Sequence, residues 1–359
     1  MKRRTSKYAN TILMVTAVMS TVPVHAGQLS PPTGSIAPTN RVQLDAQFIS
    51  LPYTITQSGS YVLTSNLTGV SGQPGIQVSA DNVTIDLNGF TLQGVSGSGA
   101  GIVSSTSPQH NVAILNGMIV NWAGHGIDLT NSSQSRIERV TVKGNGGHGI
   151  LGGGQNGIIR GCIARGNVDR GIVVPNVSGN GSVGLVEGCV AAANGNGGIL
   201  VWAGAVVSNC SALDNTGIGI IANNPGATIV NCTATNNTLI GISANGSSIR
   251  GCTSAYNGIH QIEVNSRAFV IENTCVASGP GTSTGAGIYV AGHRNRIEAN
   301  DVVDNLRGID VTGMNNLIIR NSASNNGMNY TIGPQNSAAQ LLAPGSGFVS
   351  TDPWANFSY

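Results

Sequence analysis

The chain has 359 residues, a formal net charge of +2 and only 9% charged residues, against about 25% in typical soluble proteins. Beyond residue 7 it has one lysine, Lys143, so it holds no basic tract for nucleic acid. Its 51 glycines do not recur at every third position, which excludes collagen and favours tightly turned β structure.

The first 26 residues have the features of an export signal. Basic residues at positions 2–7 precede an apolar run from Ile12 to Val24, and Ala26 ends a small-residue cleavage site. The apolar run is shorter than the roughly 20 residues needed to span a membrane. We therefore expect residues 1–26 to be removed, leaving an exported protein (secreted, periplasmic or at the cell surface) without a membrane span.

Residues 27–40 are rich in Pro, Ser and Thr and are predicted to form a flexible leader. Ordered β structure is predicted for residues 41–334. Its first part, where apolar residues alternate from Tyr53 onward, is interpreted as an N-terminal cap followed by the first coils. Residues 335–359 are predicted to be a C-terminal tail that folds back as a second cap through aromatic residues such as Trp354.

One motif recurs five times between Ile159 and Ile262. It begins with Ile or Val (the opening residue), continues with Cys three residues later, Asn at eight and Gly at twelve, and ends with Ile at thirteen (the closing Ile). Gln261 replaces Gly in the fifth instance. The Cys and Asn positions are Cys162, Cys189, Cys210, Cys232 and Cys252, and Asn167, Asn194, Asn215, Asn237 and Asn257.

The closing Ile recurs well beyond these five motifs, with gaps of 20 to 27 residues. The positions are Ile76, Ile102, Ile127, Ile150, Ile172, Ile199, Ile220, Ile242, Ile262, Ile288 and Ile309. A repeat of this length, made of β-branched segments separated by Gly and Asn, is typical of a solenoid. We predict an all-β, single-stranded parallel β-helix of about eleven coils, in which equivalent residues stack about 4.8 Å apart.

Stacking gives each recurring position of the motif a physical role. The Asn slot is predicted to form a ladder of amide hydrogen bonds along the axis. The Gly before the closing Ile is expected to supply a backbone conformation that is closed to residues with a Cβ atom.

Six cysteines in an exported protein would ordinarily indicate disulfides. Five of them instead occupy one slot, with Cys275 one residue late in the next coil, and parallel Cβ vectors disfavour the disulfide dihedral angle. We interpret the slot as a buried file of mostly reduced thiols where Asn would also fit, with disulfides between coils as the alternative. Ligands along one line do not surround an ion, so no metal site is predicted.

Charged residues of alternating sign follow the opening residue. We interpret them as ion pairs between coils, each worth a few tenths of a kcal/mol. The slot contains Glu138, Arg160, Glu187, Ser208, Val230, Arg250, Glu272, Glu298 and Arg320.

A local basic cluster is the best candidate for a binding site. The slot two residues before the closing Ile holds basic side chains on three successive coils, and a second slot places Lys143 above Arg165. We predict a weak binding face for an acidic polysaccharide on the coils around residues 136–170, solvated surface charge being the alternative. The candidate ligand-binding residues are His125, His148, Arg165, Arg170, Lys143 and Asp128.

The repeat, together with the segments LPYTI at 51–55, ADNVTIDLNGF at 80–90 and PWANF at 353–357, resembles a known family. This is the right-handed parallel β-helix superfamily of pectate lyases and polygalacturonases, and within it the short-repeat carbohydrate-binding and sugar-hydrolase group that has uncharacterised exported bacterial members. The resemblance covers about Ile76 to Asn326. It implies a right-handed helix and, in itself, no activity.

Catalytic motifs of that superfamily are incomplete here. The Gly-His-Gly of polygalacturonases is matched around His125 and His148, but the Asn-Thr-Asp segment and the Asp-Asp pair that supply its carboxylates are missing. Clustered acids for a calcium site of the pectate lyase type are missing too. We therefore expect no cofactor and a non-catalytic structural or carbohydrate-binding protein. The alternatives are a lyase, hydrolase or epimerase acting on polyuronates, and a cell-surface adhesin.

Overall fold

In the computed structural model, the closing isoleucines form one continuous file in a parallel sheet. Each pairs with its equivalent one coil away, from Ile76 with Ile102 through to Ile288 with Ile309. All eleven side chains are fully buried, and burying each contributes about 1.5–3 kcal/mol. The predicted parallel β-helix and its register along this file are confirmed.

The structure describes residues 41–176, 184–278, 285–343 and 350–359, all within one compact unit. The predicted signal and leader, residues 1–40, lie outside these ranges. Within them, no helix has the length and apolar character needed to cross a membrane.

The sheet of closing strands has thirteen members, two more than the isoleucine count predicts. Tyr53 extends the file before Ile76, and Tyr330 extends it after Ile309. The closing strands are Tyr53–Ile55, Ile76–Val78, Ile102–Ser104, Ile127–Asp128, Ile150–Leu151, Arg170–Val173, Gly197–Val201, Ile218–Ala222, Ile242–Ala244, Ile262–Val264, Ala286–Val290, Arg307–Val311 and Met328–Ile332.

Each coil also contributes an opening strand, which carries the opening residue, and a middle strand before the Asn slot. Two long strands, Val112–Val120 and Arg136–Lys143, run through both positions and join them into one sheet of 26 strands. Its other members are Arg41–Leu44, Gly59–Leu63, Leu67–Thr68, Val83–Asp86, Thr91–Gln93, Ile158–Arg160, Ile163–Arg165, Leu185–Glu187, Val190–Ala192, Val206–Ser208, Ser211–Leu213, Thr228–Val230, Thr233–Thr235, Ser248–Arg250, Thr253–Ala255, Phe269–Ile271, Thr274–Val276, Arg296–Glu298, Asp301–Val303, Leu317–Ile319, Ser322–Ser324, Ser337–Ala338, Leu341–Leu342 and Asn356–Ser358. A separate two-stranded sheet pairs Gln109–His110 with Ser132–Ser133.

The chain turns at three corners per coil, and a residue with left-handed backbone stands at each. The first corner, between opening and middle strands, has Gly161 at φ +59°, and the second, between middle and closing strands, has Gly166 at φ +62°. The third corner, between a closing strand and the next opening strand, has Gly246 at φ +58°. Gly and Asn recur at these corners because they adopt this conformation at the least cost.

At the second corner the asparagines form the predicted kind of ladder. Asn194 Nδ2 donates to Asn215 Oδ1 at 3.0 Å and to the Ala164 carbonyl at 3.1 Å. Its Oδ1 accepts the backbone N–H of Asn167 at 3.1 Å and the Asn167 side-chain amide at 3.0 Å. The ladder runs without a break from Asn145 to Asn257. Each rung therefore satisfies a corner amide that the core would otherwise leave without an acceptor.

Gln261, the one departure from the motif, ends this ladder. Asn257 Nδ2 donates to Gln261 Oε1 at 2.6 Å, and the backbone N–H of Asn257 donates to the same oxygen at 3.3 Å. The glutamine oxygen thus takes the position that the next asparagine would fill.

The glycines before the closing Ile have a different role from the one expected. Neither Gly149 nor Gly219 is left-handed. A Cβ atom at Gly149 would lie 2.6 Å from Nδ2 of Asn167, and one at Gly219 would lie 2.6 Å from Nδ2 of Asn237. These glycines leave room for the ladder of the next coil, so the expectation of a special backbone conformation is wrong.

The five cysteines of the motif lie in one buried file at the first corner. The backbone N–H of Cys162 approaches Sγ of Cys189 at 3.4 Å, and Cys189 N–H approaches Sγ of Cys210 at the same distance. At the end of the file, Cys252 N–H donates to Asn273 Oδ1 at 2.9 Å. All six cysteines are free and buried in this structure. Sulfur therefore accepts the corner N–H where the following coils use asparagine.

Two assignments near residue 271 are wrong by register. Val270, not Ile271, stacks on Ile249 as the opening residue. Asn273 consequently holds the cysteine slot, and Cys275 lies in the inner file of the middle strands beside Ser254. Glu272 therefore does not occupy the slot that follows the opening residue. It lies at the first corner with φ +58°, and Arg320 lies at the same corner of a later coil with φ +59°. Val270 and Ile271 are both apolar, so either could point into the core. A shift of the strand register by one residue would exchange the buried and the exposed side chains.

Ion pairs between coils do form, one between two opening strands and one between an opening strand and the first corner. Arg160 Nε lies 2.7 Å from Glu187, and Arg250 lies 3.5 Å from Glu272.

The two ends of the described solenoid carry additional strands. Arg41–Leu44 pairs with Gly59–Leu63. Asn356–Ser358 pairs with Ser322–Ser324, and Asn356 Oδ1 accepts the side chain of Asn321 at 3.1 Å. Trp354 stacks under the Arg320 guanidinium at 4.0 Å.

We predict that Asn194→Ala destabilises the protein by about 2–4 kcal/mol, because it leaves several buried groups of the ladder without partners. The measurement is urea denaturation of the wild type and the variant. Asn223→Ala, which changes an exposed asparagine of a nearby coil, is the control and should shift stability by less than about 0.5 kcal/mol. Equal effects of the two changes would contradict the role of the ladder.

Candidate functional site

Two predicted site residues, His125 and His148, stack directly on one another. Their ring centroids lie 5.1 Å apart with an interplanar angle of 10°. The backbone N–H of His148 donates to Nδ1 of His125 at 2.9 Å, and Arg170 N–H donates to Nδ1 of His148 at 3.2 Å. A neutral imidazole that accepts through Nδ1 carries its proton on Nε2. The file therefore offers Nε2–H donors beside the second corner.

Burial lowers the pKa of His148, while the nearby Asp169 acts in the opposite direction. Asp169 Oδ2 lies 3.3 Å from Nδ1 of His148, and Asp169 Oδ1 accepts a hydrogen bond from the side-chain amide of Asn196. Because Nδ1 already accepts the Arg170 N–H, protonation of the ring would exchange that hydrogen bond for an ion pair with Asp169.

Arg170 continues the file of the two histidines. It pairs with Gly197 of the next coil, where a Cβ atom would lie 3.0 Å from Arg170 Nη1. The guanidinium group thus packs over bare backbone. Its Nη1 is buried and has no hydrogen-bond acceptor among the described residues.

Lys143 and Arg165 lie on the other side of the second corner. They pair with each other at the ends of neighbouring middle strands, and both are exposed. Neither has an ion-pair partner in the part of the chain that the structure describes. The predicted residues therefore form two separate files rather than one cluster.

Asp128 lies beside the histidine file but is held by its own turn. Its Oδ1 accepts the backbone N–H of Thr130 at 3.0 Å, and the Thr130 hydroxyl also contacts it. Asp128 contributes to the electrostatic environment of His148. Its charge opposes the binding of an anion at this end of the file.

A second polar cluster lies on the outer face of the closing strands, several coils further on. Its centre is Tyr289, whose ring stacks on His260 with centroids 4.5 Å apart and an interplanar angle of 13°. His260 accepts the backbone N–H of Ala286 at 3.1 Å, as His148 accepts that of Arg170. Burial lowers the pKa of His260 to about 4, so the ring is neutral at pH 7.

Three charged residues surround Tyr289. Glu263 pairs with Tyr289 on the preceding coil, and Asp310 pairs with it on the following coil. Burial raises the pKa of Glu263. Asp310 is 1% exposed; its Oδ2 lies 2.6 Å from Arg307, and its Oδ1 has no partner among the described residues. The cluster thus combines a neutral imidazole, a phenol hydroxyl and a carboxyl group with raised proton affinity.

No group of three or more His, Cys, Asp or Glu side chains within the described ranges is placed to hold a metal ion.

Comparison with known proteins agrees with this geometry at the level of fold. The family model described as "Right handed beta helix region" matches residues 54–206. The parallel β-helix of the described residues agrees with that description. No functionally characterised protein matches this β-helix by sequence.

Two solved structures of mannuronan C-5 epimerase A-modules from Azotobacter vinelandii share the fold. The AlgE6 module is 13% identical, covers 89% of this chain and 88% of its own, and gives a TM-score of 0.52. The AlgE4 module is 15% identical, covers 79% and 91% respectively, and gives a TM-score of 0.53. At these identities the likeness is one of fold.

The cluster around Tyr289 was not predicted from the sequence, although a signal for it exists. The slot two residues before the closing Ile, which contains His125 and His148, also contains His260 and Arg307. Following that slot to the C-terminal coils would have found both residues. The long gap between Ile262 and Ile288 obscures the pattern.

Since folding lowers the pKa of His260 from 6.5 to about 4, the unfolded chain binds the proton more tightly. The stabilisation is complete above about pH 6.5 and is lost as the pH falls towards 4. We predict that wild type loses about 2–3 kcal/mol more stability than His260→Gln between pH 7.5 and pH 4.5. Denaturation midpoints at the two pH values measure this difference. Equal losses of stability in the wild type and the variant would show that His260 is not a buried neutral imidazole.

Proposed function

We propose that this β-helix binds an acidic polysaccharide beside the second corner of the coils that contain residues 125–170. The observation that carries the proposal is the set of three cations without an acidic partner in the described residues, Lys143, Arg165 and Arg170. Arg170 is the strongest of them, because its buried Nη1 has no acceptor. A ligand carboxylate would pair with the accessible part of this half-buried guanidinium group, whose charge no acidic side chain of the described residues offsets.

The other arginines of these coils already have an acidic partner within the protein. Arg136 and Arg139 approach Glu138 at 3.7 and 3.5 Å, and Arg160 pairs with Glu187 at 2.7 Å. A charge that is paired within the protein adds little attraction for a ligand, because binding must first break or share the pair.

The solenoid suits an extended polymer because equivalent side chains recur about every 4.8 Å along the axis. A polymer lying along the axis would meet the histidine donors and the unpaired cations on successive coils. Lys143 and Arg165 are exposed, so their contribution is weak and is screened by salt. We therefore propose binding that is strongest at low ionic strength.

Two proteins whose names give mannuronan as their substrate have this fold. The likeness carries no activity to this chain, and the ligand class rests on the charge of the site. The uronic acid polymers are the first ligands to test, because they place a carboxylate on every sugar.

We predict that immobilised polyuronates retain the wild-type protein at low salt. A variant with His148→Ala, Arg165→Ala and Arg170→Ala should bind about 10- to 100-fold more weakly, at about 0.5–1 kcal/mol for each lost contact. Arg250→Ala is the matched control, since it removes an exposed arginine far along the solenoid. Absence of retention, or equal retention of the triple variant, would overturn the proposal.

A second candidate function is chemical modification of such a polymer at the Tyr289 cluster. The observation in its favour is Glu263, whose carboxyl group has a pKa raised by burial, as general acid–base groups require. Tyr289 lies next to it, and its hydroxyl oxygen accepts a bond from Thr312 at 3.3 Å, so its own proton is free to donate. Glu263 could take up the proton next to a uronate carboxylate while Tyr289 returns one.

Hydrolysis has less support at this cluster. Glu263 and Asp310 lie two coils apart, about 10 Å between their Cα atoms at the rise of a parallel sheet, and a pair of carboxylates is what glycosidases use. Asp310, however, is 1% exposed and is paired with Arg307, so it has no access to attacking water. Elimination or epimerisation, which need a base for the proton next to the carboxylate and an acid that donates a proton, fit the cluster better.

We predict that Glu263→Gln and Tyr289→Phe each lower such an activity by about 100-fold or more, the usual contribution of a general acid or base. The measurement follows unsaturated sugar ends by ultraviolet absorbance and changed uronate configuration by NMR. Arg250→Ala should leave the rate unchanged. If the wild type leaves every polyuronate unmodified, the cluster has no such activity.

A further inference from the structure

The third corner forms a cleft on the C-terminal half of the solenoid, just after the closing strands that carry Glu263 and Tyr289. Its cavity volume is about 460 Å³. The polar residues that line it come from four successive coils and are Asn245, Ser266, Arg267, His293, Arg294 and Asn315.

The cleft holds two arginines and no carboxylate. Arg267 and Arg294 have no ion-pair partner within the described ranges, and none of the lining residues is acidic. The register that pairs Phe269 with Arg296 also stacks Arg267 on Arg294. Two like charges one coil apart repel each other. An anion between them would remove that repulsion.

The backbone presents both arginines at the corner in an unfavourable conformation. Arg267 and Arg294 have φ +60°, between Gly246 at φ +58° and Asn315 at φ +59° in the same file. Gly and Asn tolerate left-handed backbone, whereas a long side chain with a Cβ atom does so at a cost. Local packing does not require arginine here, because Gly246 and Asn315 adopt the same conformation on the neighbouring coils with less strain.

His293 adds a third donor. Its Nδ1 accepts the backbone N–H of Met314 at 3.1 Å, and the backbone N–H of His293 donates to Ser266 Oγ at 3.0 Å. In a neutral ring this leaves the proton on Nε2.

We propose that this cleft binds a tetrahedral oxyanion, the phosphate or sulfate group of a monoester. Each guanidinium presents a planar fork of N–H donors, and the backbones that carry the two forks lie about 4.8 Å apart along the axis. One fork satisfies both oxygens of a carboxylate, so two forks and an imidazole exceed what a uronate can use. A monoester has three terminal oxygens, one for each of the three donors. This ligand differs in chemistry and in place from the polyuronate proposed above.

The test uses the full chain and four probes: inorganic phosphate, inorganic sulfate, glucose 6-phosphate and glucuronate. NMR titration or calorimetry should show saturable binding of the tetrahedral ions, and glucuronate should bind at least tenfold more weakly. The phosphate and sulfate arms show which of the two groups the cleft prefers.

The decisive variant replaces both arginines by the residue that the next coil already uses, Arg267→Asn with Arg294→Asn. It should bind phosphate and sulfate at least tenfold more weakly while keeping wild-type retention on polyuronate. The control, Arg165→Ala with Arg170→Ala, should keep phosphate and sulfate binding. The proposal is overturned if the wild type shows no saturable binding, if glucuronate binds as tightly, or if the asparagine variant binds unchanged.

Discussion

The buried backbone N–H groups at the corners of each coil are the constraint on which the rest of the structure depends. A strand pairs its amides with the next coil, but at a corner the ladder is interrupted and the N–H needs another acceptor. The side chain that follows the left-handed residue supplies it: Oδ1 of Asn194 to Asn167, Sγ of Cys189 to Cys162, Oγ of Ser247 to Ala227. Asn and Cys recur in the sequence because each corner needs such an acceptor. Outward-facing positions are free of it, and the histidines, Tyr289 and the unpaired arginines occupy them.

Residues whose side chains point inward could be predicted from the sequence because each has few alternatives. The closing Ile must be apolar and of constant size, so eleven of the thirteen closing strands were found directly, and the asparagine ladder followed from its spacing. The two end coils were missed since Tyr53 and Tyr330 replace Ile there. At Val270 and Ile271 either residue would satisfy the core, and only the paired coils show which one does.

The candidate sites were harder to predict, because outward-facing positions obey no repeat. The sequence placed His125, His148 and Arg170 in one file, as their slot implies, but it could not show that the second corner separates them from Lys143 and Arg165. Nor could it show that Asp310 is buried beside Tyr289 or that Arg267 and Arg294 line one cleft. These facts depend on how long side chains lie across neighbouring coils, which spacing does not encode.

Gln261 divides the amide network of the second corner into two lengths. One runs from Asn145 to Asn257, and another links Asn305 to Asn326. A continuous ladder ties each coil to the next, so a break in it creates a seam where neighbouring coils are held by one fewer set of bonds. Linear arrays of this type lose structure block by block from weak junctions. The Tyr289 cluster spans this seam, with His260 and Glu263 on one side and Tyr289 and Asp310 on the other. Local opening at the seam would therefore separate the residues of that cluster while the coils that carry His125 and His148 stay intact.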